Sequence, residues 1–594
     1  MRLGERRRPP FPAELTVRVG LVWLIVCMIY VATKWSAIAA LNLPDADDTL
    51  RMVQVRDLLA GQGFWDLHQY RIDPPQGMLM HWSRLVDLPL AGVQLALRPL
   101  LGPALAEHAA LVLVPLLTLG AAMLLAARLA WRLVDENLIY FTILLLALAT
   151  PLTAQLQPLR IDHHGWQVVA VLAALNGLTA RTAWRAGWLS GAALALGMTI
   201  SLELLPIAAL FGAVLGLRAV IDPALRSGPA GFLQALAIVG VAAFLGTHGL
   251  TDMASHCDSL SPAYLAGLTV AALAATVLAA LPPLPVLARA LGLGACAALA
   301  GITILALAPH CAGGPFAALD PLVRSFWYSN VHEGMPVWYQ KPAVIAQMIA
   351  VPLAGLYGAV RLWLASQGWL RRFWFDYAVL LAGTILLAVV VARSSAFACA
   401  IAAVPLSWQV REWHRRVRGF KRPLPRVAGL LAIAAVVMPG VPLIALGKLT
   451  AAPAGTAAPM PSAQLACDIR AAAPALNALA PATVFAPIDV GPVLLAETHH
   501  RVIATAHHRA PQALHDVIAA FIAQPDAARA IVTRRGARYV MICPGLIEAG
   551  NYQRAAPDGL MALLLANRAP EWLRPVMLPG KTGLQLWEVE AGRN

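Results

Sequence analysis

Runs of about twenty apolar residues recur along the chain as far as residue 447, and they constrain its fold more than any other feature. A helix needs about 20 apolar residues to cross the hydrocarbon core of a bilayer. Only 13% of the 594 residues are charged, whereas a soluble globular domain has about 25%. The chain is therefore predicted to be a polytopic membrane protein with an all-α membrane domain.

The apolar runs predict about thirteen membrane crossings. They lie near residues 19–40, 106–130, 137–156, 165–182, 187–202, 203–219, 231–250, 261–282, 290–308, 342–364, 375–392, 394–410 and 427–447. The basic segment before residue 19 and the Arg-rich segment 411–426 fall on one side, which the positive-inside rule makes cytoplasmic. An odd number of crossings places the C-terminus outside.

Charge and composition divide the chain further. A net charge of +14 could indicate a nucleic-acid partner, but the arginines cluster in short loops between spans, so no nucleic acid is expected. Residues 1–449 are predicted to form the membrane domain, 450–460 a linker and 461–594 a small soluble α/β domain. The outside loops are expected at residues 41–105, 157–164 and 309–340.

Within the soluble domain, Val484–Ala486 and Tyr539–Ile542 have the pattern of buried strands, and Leu514–Ala523 that of a helix between them. Cys467 and Cys543 lie in this exported part of the chain. A disulfide between them is permitted there, although the sequence alone cannot pair them.

The most informative polar segment is Arg160-Ile161-Asp162-His163-His164-Gly165-Trp166-Gln167, which lies between two apolar runs. Polar clusters at a membrane boundary usually have a function. One carboxylate and two imidazoles suit a divalent metal. The segment is predicted to lie on the outer face of the membrane.

Two acidic loops are predicted on the same face. Pro44-Asp45-Ala46-Asp47-Asp48 follows the first span, and Glu333 lies in the loop 309–340. Each has an ordinary alternative, because acidic residues commonly cap helices or face water. Their convergence on one face with Asp162 is the stronger indication of a site.

Several motifs together resemble the GT-C glycosyltransferases, above all the catalytic subunit of oligosaccharyltransferases of the archaeal AglB and bacterial PglB type. Asp45 is followed six residues later by Arg51, and Asp162-His163-His164 matches an Asp-His-His loop. The segment 330–338, with Glu333 and Trp338, is similar to a late outside loop of that family. An arginine opens a late span, as Arg393 does here. The resemblance covers roughly residues 15–410.

The resemblance implies a divalent metal, Mn²⁺ or Mg²⁺, bound by Asp45, Asp162, His164 and Glu333. It implies a polyprenyl-linked sugar donor in the membrane, whose phosphate would contact Arg393, Arg160 and His163. The acceptor would be oriented or deprotonated by an acidic residue of the first loop. The catalytic candidates are Asp45, Asp48 and Glu333, with Asp47 as a further candidate.

The resemblance is incomplete, and the acceptor stays open among a glycan, a lipid and a protein. No Trp-Trp-Asp-Tyr-Gly motif is found in the C-terminal region, and Trp374-Phe375-Asp376-Tyr377-Ala378 lies at the opposite face, where interface-anchoring aromatics explain it. A metal-independent GT-C enzyme that uses a polyprenyl-monophosphate sugar is the main alternative. A transporter would need an internal repeat, and none is found.

The tail carries a His-His-Arg unit twice, at residues 499–501 and at residues 507–509, and the second copy contains His508 and Arg509. It could form a second metal site or reach the donor phosphate, whereas a basic surface patch is the ordinary interpretation. The expected location of the protein is the bacterial cytoplasmic membrane. Its active site and C-terminal domain would then lie on the periplasmic face.

Overall fold

The computed structural model describes residues 11–450 and 467–590. These residues form two compact units. We call the first the membrane unit; it contains residues 11–39, 83–315 and 332–450. The second, the sheet unit, contains residues 40–82, 316–331 and 467–590. Two segments of the predicted outside loops thus belong to the same unit as the C-terminal region. The predicted linker 450–460 lies almost wholly outside the described residues.

The membrane unit is helical. Its first half contains α1 (Ala13–Thr33), α2 (Trp35–Ala39), α4 (Arg84–Leu133), α5 (Leu138–Leu148), α6 (Thr150–Leu156), α7 (His164–Gly177), α8 (Ala183–Ile200) and α9 (Leu205–Ile221). Its second half contains α10 (Ser227–Thr247), α11 (Pro262–Ala280), α12 (Val286–Leu307), α14 (Pro342–Ala365), α15 (Gly368–Val390), α16 (Ser395–Arg418), α17 (Pro423–Val437) and α18 (Gly440–Thr450).

Each predicted span coincides with a helix or a pair of helices. Within the described residues, eight helices are long and apolar enough to cross a membrane alone, and the pair α5 and α6, bent by 75°, would make a ninth. The all-α polytopic class is confirmed, whereas the number of thirteen crossings stays a prediction. Helix α4 contains a break at Gly102, whose φ is 75°, and this break lies just before the predicted span 106–130.

Small residues allow the closest helix packing in the membrane unit. A side chain at Gly187 or Gly191 of α8 would collide with the backbone carbonyl oxygen of Gly228 or Phe232 on α10. Glycines let two helix backbones approach closely in lipid, where no hydrophobic effect drives helices together. Helix α12 is the opposite case, because only 6% of its most apolar segment is buried.

The sheet unit combines α3 with the C-terminal elements. Its helices are α3 (Ala46–Leu59), α13 (Pro321–Phe326), α19 (Ile469–Asn477), α20 (Gly491–Glu497), α21 (Pro511–Ile522), α22 (Pro525–Arg534), α23 (Ile547–Ala555) and α24 (Leu560–Leu565). Its strands are β1 (His68–Gln69), β2 (Met78–Leu79), β3 (Thr483–Phe485), β4 (Arg501–Val502), β5 (Tyr539–Ile542), β6 (Leu573–Val576) and β7 (Gln585–Val589).

Five of these strands form one mixed sheet in the order β4-β3-β5-β7-β6. The pairs β3–β4 and β3–β5 are parallel, and β7 pairs antiparallel with β5 and β6. Strand β5 is buried throughout, which agrees with its purely apolar sequence. The predicted α/β class of the C-terminal region is confirmed, with the predicted strands at β3 and β5 and the predicted helix at α21.

The first outside loop is integrated into the sheet unit by hydrogen bonds. Arg71 donates to the carbonyl oxygens of Leu495 and Thr498 at 2.9 Å, and Ile72 forms a β-bridge with Val502. Trp82 is 1% exposed and packs under the guanidinium of Arg51 at 4.5 Å. Trp82 therefore belongs to the core of the sheet unit.

Two disulfides occur in the described residues. Cys467 bonds Cys543 in the sheet unit, and Cys257 bonds Cys311 in the membrane unit. The first is the pair that the sequence allowed, and the second joins the loop after α10 to the segment after α12. The remaining thiols, Cys27, Cys296 and Cys399, are buried, as expected for core residues.

Candidate active site

The segment from Arg160 to Gly165 connects α6 to α7 and is held tightly against the preceding helix. A side chain on Gly165 would lie 2.8 Å from the carbonyl oxygen of Gln155, so only glycine permits this approach. Leu159 has a φ of 70°, in the left-handed region. These constraints bring Asp162 and His163 to the start of α7 and make His164 its first residue.

Asp162 and the two histidines form a buried cluster. The exposed fraction is 3% for Asp162 and 4% for each histidine. The Oδ2 atom of Asp162 lies 3.0 Å from Nδ1 of His164, and Oδ1 accepts a hydrogen bond from the backbone amide of His163 at 2.6 Å. The two imidazole rings are 4.2 Å apart. One carboxylate thus faces both rings.

Glu203 approaches the same rings from the other side. It precedes α9, and its Oε2 atom lies 3.9 Å from Nε2 of His163 and 4.0 Å from Nε2 of His164. Its Oε1 atom lies 2.7 Å from Nη1 of Arg393. Glu203 was not among the predicted site residues. It therefore extends the Asp162 cluster and connects it to Arg393.

Arg393 brings the late loop to this cluster. It lies in the turn between α15 and α16, where the amide of Ala392 donates to the carbonyl oxygen of Met335 at 3.0 Å. The same Nη1 atom that pairs with Glu203 lies 3.6 Å from Oε1 of Glu333. Of the predicted residues, the membrane unit therefore brings together Asp162, His163, His164, Arg393 and Glu333.

Arg160 completes the cluster on the side of Asp162. Its Nη2 atom lies 3.7 Å from Oδ2 of Asp162, and its Nε donates to Gln155 at 3.2 Å. Both Arg160 and Asp162 line a small recess together with residues of α4 and α7. A guanidinium at this position can contact an anionic group in the recess.

Charges within the cluster shift its titration. Burial raises the pKa of Asp162, but the charges of the two imidazoles outweigh it and hold the pKa of this carboxyl well below its usual range. Burial lowers the pKa of His163, but the charge of Asp162, assisted by Glu203, raises it to about 9. His163 and Asp162 therefore form an ion pair at neutral pH.

The donor atoms fit a metal ion. Ligand atoms of Asp162, His163 and His164 all lie within 4.8 Å of one another. Both ring nitrogens of each histidine are buried and lack an aligned hydrogen-bond partner, although carboxylate oxygens lie nearby. Buried imidazole nitrogens without such partners are unfavourable unless a cation or a proton occupies the site. The set of carboxylate and imidazole donors suits a divalent cation.

The first acidic loop lies in the sheet unit. Asp45 is the N-cap of α3, where its side chain accepts a hydrogen bond from the amide of Asp47 at 3.2 Å. Asp48 and Arg51, three residues apart on this helix, are both 0% exposed. Asp45 thus has the capping role that was its ordinary interpretation, and its role in a site stays a prediction.

Asp45 also faces an acidic pair that the sequence did not reveal. The pKa of Asp489, which follows β3, is raised by desolvation and then by the charge of Asp45. Glu548 accepts hydrogen bonds from the amides of Ile488 and Asp489 and from Tyr552. Burial and the charge of Asp489 raise the pKa of Glu548 to about 8.

The two histidine pairs of the tail have different environments. His500 is 1% exposed and uses both ring nitrogens on backbone groups, the carbonyl oxygen of Leu476 and the amide of Ala482, so it is structural. His507 and His508 pack against His81, with ring centroids 5.1 and 5.3 Å away. His508 also contacts Phe316. The second pair therefore lies in an aromatic cluster.

The positions of the remaining predicted residues, Trp338 and Arg509, do not indicate a role in the site. Trp338 is 61% exposed in a short turn. The amide of Arg509 donates to Nδ1 of His507 at 3.3 Å.

At the opposite end of the membrane helices, Asp376 pairs with Arg218 at 2.5 Å, and Trp374 and Tyr377 are buried. The interpretation of that segment as interface anchors was wrong, because these aromatic residues pack in the helical core.

Comparison with known proteins identifies the fold. No family model and no curated protein sequence matches the chain. Among solved structures, archaeal oligosaccharyltransferase AglB from Archaeoglobus fulgidus, in complex with an inhibitory peptide and a dolichol-phosphate, is similar over 97% of this chain and 74% of its own. Its TM-score is 0.65 and its sequence identity 14%. The chain has the GT-C fold.

Two further structures of the Archaeoglobus fulgidus oligosaccharyltransferase agree with this GT-C assignment. One is tethered to an acceptor peptide containing the NVT sequon and matches 98% of this chain and 74% of its own, with a TM-score of 0.64 and 14% identity. The other, a complex with Zn and sulfate, matches 95% and 72%, with a TM-score of 0.58 and 14% identity. The predicted GT-C fold is thereby confirmed.

One signal in the sequence could have identified Glu203 as a site residue. Glu203 is the clearest ionisable residue inside the apolar runs, and such residues commonly mark functional sites in membrane proteins. No motif surrounds it, because its partners His163 and Arg393 are distant in sequence. Asp489 and Glu548 gave less indication, since single carboxylates in a soluble region are ordinary.

Proposed function

We propose that the chain is a membrane glycosyltransferase that moves a sugar or oligosaccharide from a polyprenyl-(di)phosphate donor to an acceptor on the outer face of the bacterial cytoplasmic membrane. One observation carries this proposal. A cluster of three buried residues, Asp162, His163 and His164, and two half-buried ones, Glu203 and Arg393, lies where membrane helices end. It combines ligands for a divalent metal with a cation for phosphate.

The fold supports the substrate class. The Archaeoglobus fulgidus oligosaccharyltransferase has been captured with a dolichol-phosphate, with peptides and with Zn and sulfate. A lipid with a polar phosphate and a long apolar tail suits a polar cluster at the end of apolar helices. The acceptor class stays open, and the pair Asp45 and Asp489 in the sheet unit is our candidate for contacting it.

The residues suggest a division of roles. Asp162, His164 and Glu203 would hold the metal, with Asp45 and Glu333 as the further ligands that the resemblance implies. Mn²⁺ is favoured over Mg²⁺, because imidazole ligands suit transition metals. A bound metal would supply Lewis-acid stabilisation of phosphate charge. Arg393, with Arg160, would contact phosphate oxygens and stabilise the leaving group electrostatically.

Sidedness has its own support. Cys257, Cys311, Cys467 and Cys543 all lie in segments that the positive-inside rule assigns to the outside. Disulfides persist in the oxidising periplasm and are rare in the cytosol. Both disulfides are therefore consistent with a periplasmic location of the loops and of the sheet unit.

A metal-independent GT-C enzyme that uses a polyprenyl-monophosphate sugar is the second candidate, and one observation favours it. Glu203 and Glu333 approach Arg393, while Asp162 approaches His163 and Arg160. Protein cations thus compensate the carboxylates of the cluster. In that case Arg393 and Arg160 would bind the phosphate alone.

Mn²⁺ binding tests the two candidates against each other. Purified protein in detergent is titrated with Mn²⁺ and followed by electron paramagnetic resonance, for the wild type, Asp162→Asn and the matched control Asp526→Asn, whose carboxylate is exposed. One site that Asp162→Asn removes and Asp526→Asn keeps supports the metal-assisted enzyme. If the wild type binds no Mn²⁺, or if its Mn²⁺ site is unaffected by Asp162→Asn, the result favours the metal-independent enzyme.

Phosphate binding tests the glycosyltransferase proposal as a whole. A C55 polyprenyl phosphate is titrated against wild type and Arg393→Gln. Loss of a charge-assisted contact predicts about tenfold weaker binding or more in the variant. Equal binding by both proteins would remove Arg393 from the proposed site.

A further inference from the structure

A second recess, largely apolar but containing two arginines, lies at the other end of the membrane unit. It is lined by the ends of α9 and α11, by the starts of α10 and α12, and by the loops between them, and it is open to the surface. Glu203 precedes α9 and this recess lies at its far end, so about 25 Å of helix separates them. The recess is therefore distinct from the candidate active site.

Two arginines line the recess and are held in place by backbone groups. Arg226 donates from Nε to the carbonyl oxygen of Ala279 at 2.9 Å, at the end of α11. Arg289 donates from Nη2 to the carbonyl oxygen of Val220 at 2.7 Å, at the end of α9. The Nε atom of Arg289 is buried and makes no hydrogen bond. Both guanidinium groups retain N–H groups for another acceptor.

The N-termini of two helices also lie at the recess. Helix α10 begins at Ser227 and α12 at Val286, and neither start has a side-chain cap. The first N–H groups of a helix and its dipole attract an anion. No aspartate or glutamate is among the residues that line the recess. The C-terminal ends of α9 and α11 lie at the same recess and carry the opposite polarity, so its net positive charge comes from Arg226 and Arg289.

The surroundings of the recess are apolar. Prolines 282 and 283, together with Leu278, Leu284 and Leu293, line its wall. On the adjoining first turns of α12, Leu287 is 70% exposed and Leu291 is 65% exposed. An anion that sits here therefore has apolar helix surface beside it, which a free inorganic anion would not use.

We propose that this recess binds the phosphate of an anionic phospholipid in the leaflet opposite the candidate active site. The guanidinium groups of Arg226 and Arg289 donate to the phosphate oxygens, and the acyl chains lie along the exposed face of α12. Juxtamembrane arginines attract anionic lipids of the cytoplasmic leaflet. Fixing the phosphate between two helix pairs would stabilise the packing of α9 to α12.

The test is a titration of detergent-purified full-length protein with a short-chain phosphatidylglycerol. Wild type is compared with Arg226→Gln/Arg289→Gln and with Arg181→Gln/Arg185→Gln, a control that removes two exposed arginines before and within the first turn of α8. We expect the wild type and the control to bind equally and the recess variant to bind about tenfold more weakly or worse. Equal affinity in the two variants would overturn the proposal.

Two further arms identify the source of the phosphate and control for folding. Inorganic phosphate at the same concentration should not compete; competition at equal strength would assign the recess to a free anion and refute the lipid. If the double variant does not fold, Arg226→Lys/Arg289→Lys replaces it. These lysines keep the charge without the guanidinium fork, so binding weaker than wild type is expected, and unchanged binding contradicts the proposed contacts.

Discussion

Glu203 and Glu333 both contact Arg393, yet they differ in their relation to the imidazoles of the cluster. Glu203 places one oxygen about equally far from Nε2 of His163 and of His164, at 3.9 and 4.0 Å. Glu333 contacts Arg393 through a longer distance, 3.6 Å, and lies in a short turn. A metal held by the histidines would therefore depend more on Glu203.

The first prediction compares these two glutamates. Glu203→Gln should weaken Mn²⁺ binding about 10- to 100-fold, the range seen when a residue supporting a metal site is lost, and Glu333→Gln should weaken it less. Electron paramagnetic resonance measures both, with the exposed Glu571→Gln as the control. The opposite ranking would show that the ligand set implied by the resemblance, with Glu333, is the better one.

The second prediction concerns Glu548 and pH. The pKa of Glu548 is raised from 4.5 to about 8, by burial first and then by the charge of Asp489. Between these values the folded state holds a proton that the unfolded state has released, so folding stability falls as pH rises from about 5 to about 8. Glu548→Gln should remove this fall.

Thermal unfolding at several pH values checks this effect. The melting temperature of the wild type minus that of Glu548→Gln should decrease steadily with rising pH. Glu571→Gln, at an exposed position, should give a difference that is constant across the range. A constant difference for Glu548→Gln as well would mean that this carboxyl titrates normally.

At the scale of single residues, the sequence revealed site residues that are adjacent in the chain and missed those whose partners are distant in the chain. Asp162, His163 and His164 are contiguous, so their chemistry was visible as a motif. Glu203 and Asp489 acquire their surroundings only when remote segments fold together, and one carboxylate carries no spacing to interpret. Glu203 was detectable only through the cost of an ionisable group among apolar residues.

Among the helices, the contact between α8 and α10 is the tightest. A methyl group at Gly187 would meet the backbone oxygen of Gly228, which cannot move aside as a flexible side chain could. Forcing extra volume into a packed contact costs about 1–3 kcal/mol. Helix propensity alone would favour alanine over glycine by about 1 kcal/mol, so packing and propensity oppose each other here.

The third prediction follows from this opposition. Gly187→Ala should lower the melting temperature of the detergent-solubilised protein, because the packing cost exceeds the gain in propensity. Gly294→Ala on α12 is the matched control, since nothing lies within 4 Å of a methyl group there. That substitution should leave the stability unchanged or raise it. Equal effects of the two substitutions would contradict the close contact between α8 and α10.

Element positions were predictable where the apolar runs are long. All the predicted spans fall on helices, because length and hydropathy alone satisfy the bilayer. The bend between α5 and α6 was not predicted, since Pro151 follows it without interrupting the apolar run. The sheet unit was predictable only in part, because residues 40–82 and 316–331 join the C-terminal strands across long sequence separations.

For the whole molecule, the arrangement across the membrane gives the fourth prediction. Ser329 and Arg422 are both exposed and are predicted on opposite faces by the distribution of arginines. Ser329→Cys should react with a membrane-impermeant maleimide on cells with a permeabilised outer membrane. Arg422→Cys should react only after the inner membrane is opened.

The native cysteines leave this experiment a clean background. Four of them form the two disulfides and three are buried, so the wild type should not be labelled. Labelling of Arg422→Cys while the inner membrane is intact would show that the orientation is the opposite of the predicted one. The proposed periplasmic active site would then have to be abandoned.

Helix α12 has a consequence for how sequences of this kind diverge. Only 6% of its most apolar segment is buried, and a lipid environment would accept any apolar side chain of suitable hydropathy in place of another. Substitutions among leucine, isoleucine, valine and alanine should therefore accumulate there faster than in α8, where a side chain at Gly187 or Gly191 would collide with the backbone of α10. In an evolutionary comparison, α12 would keep its hydropathy while its residue identities change, except at Arg289.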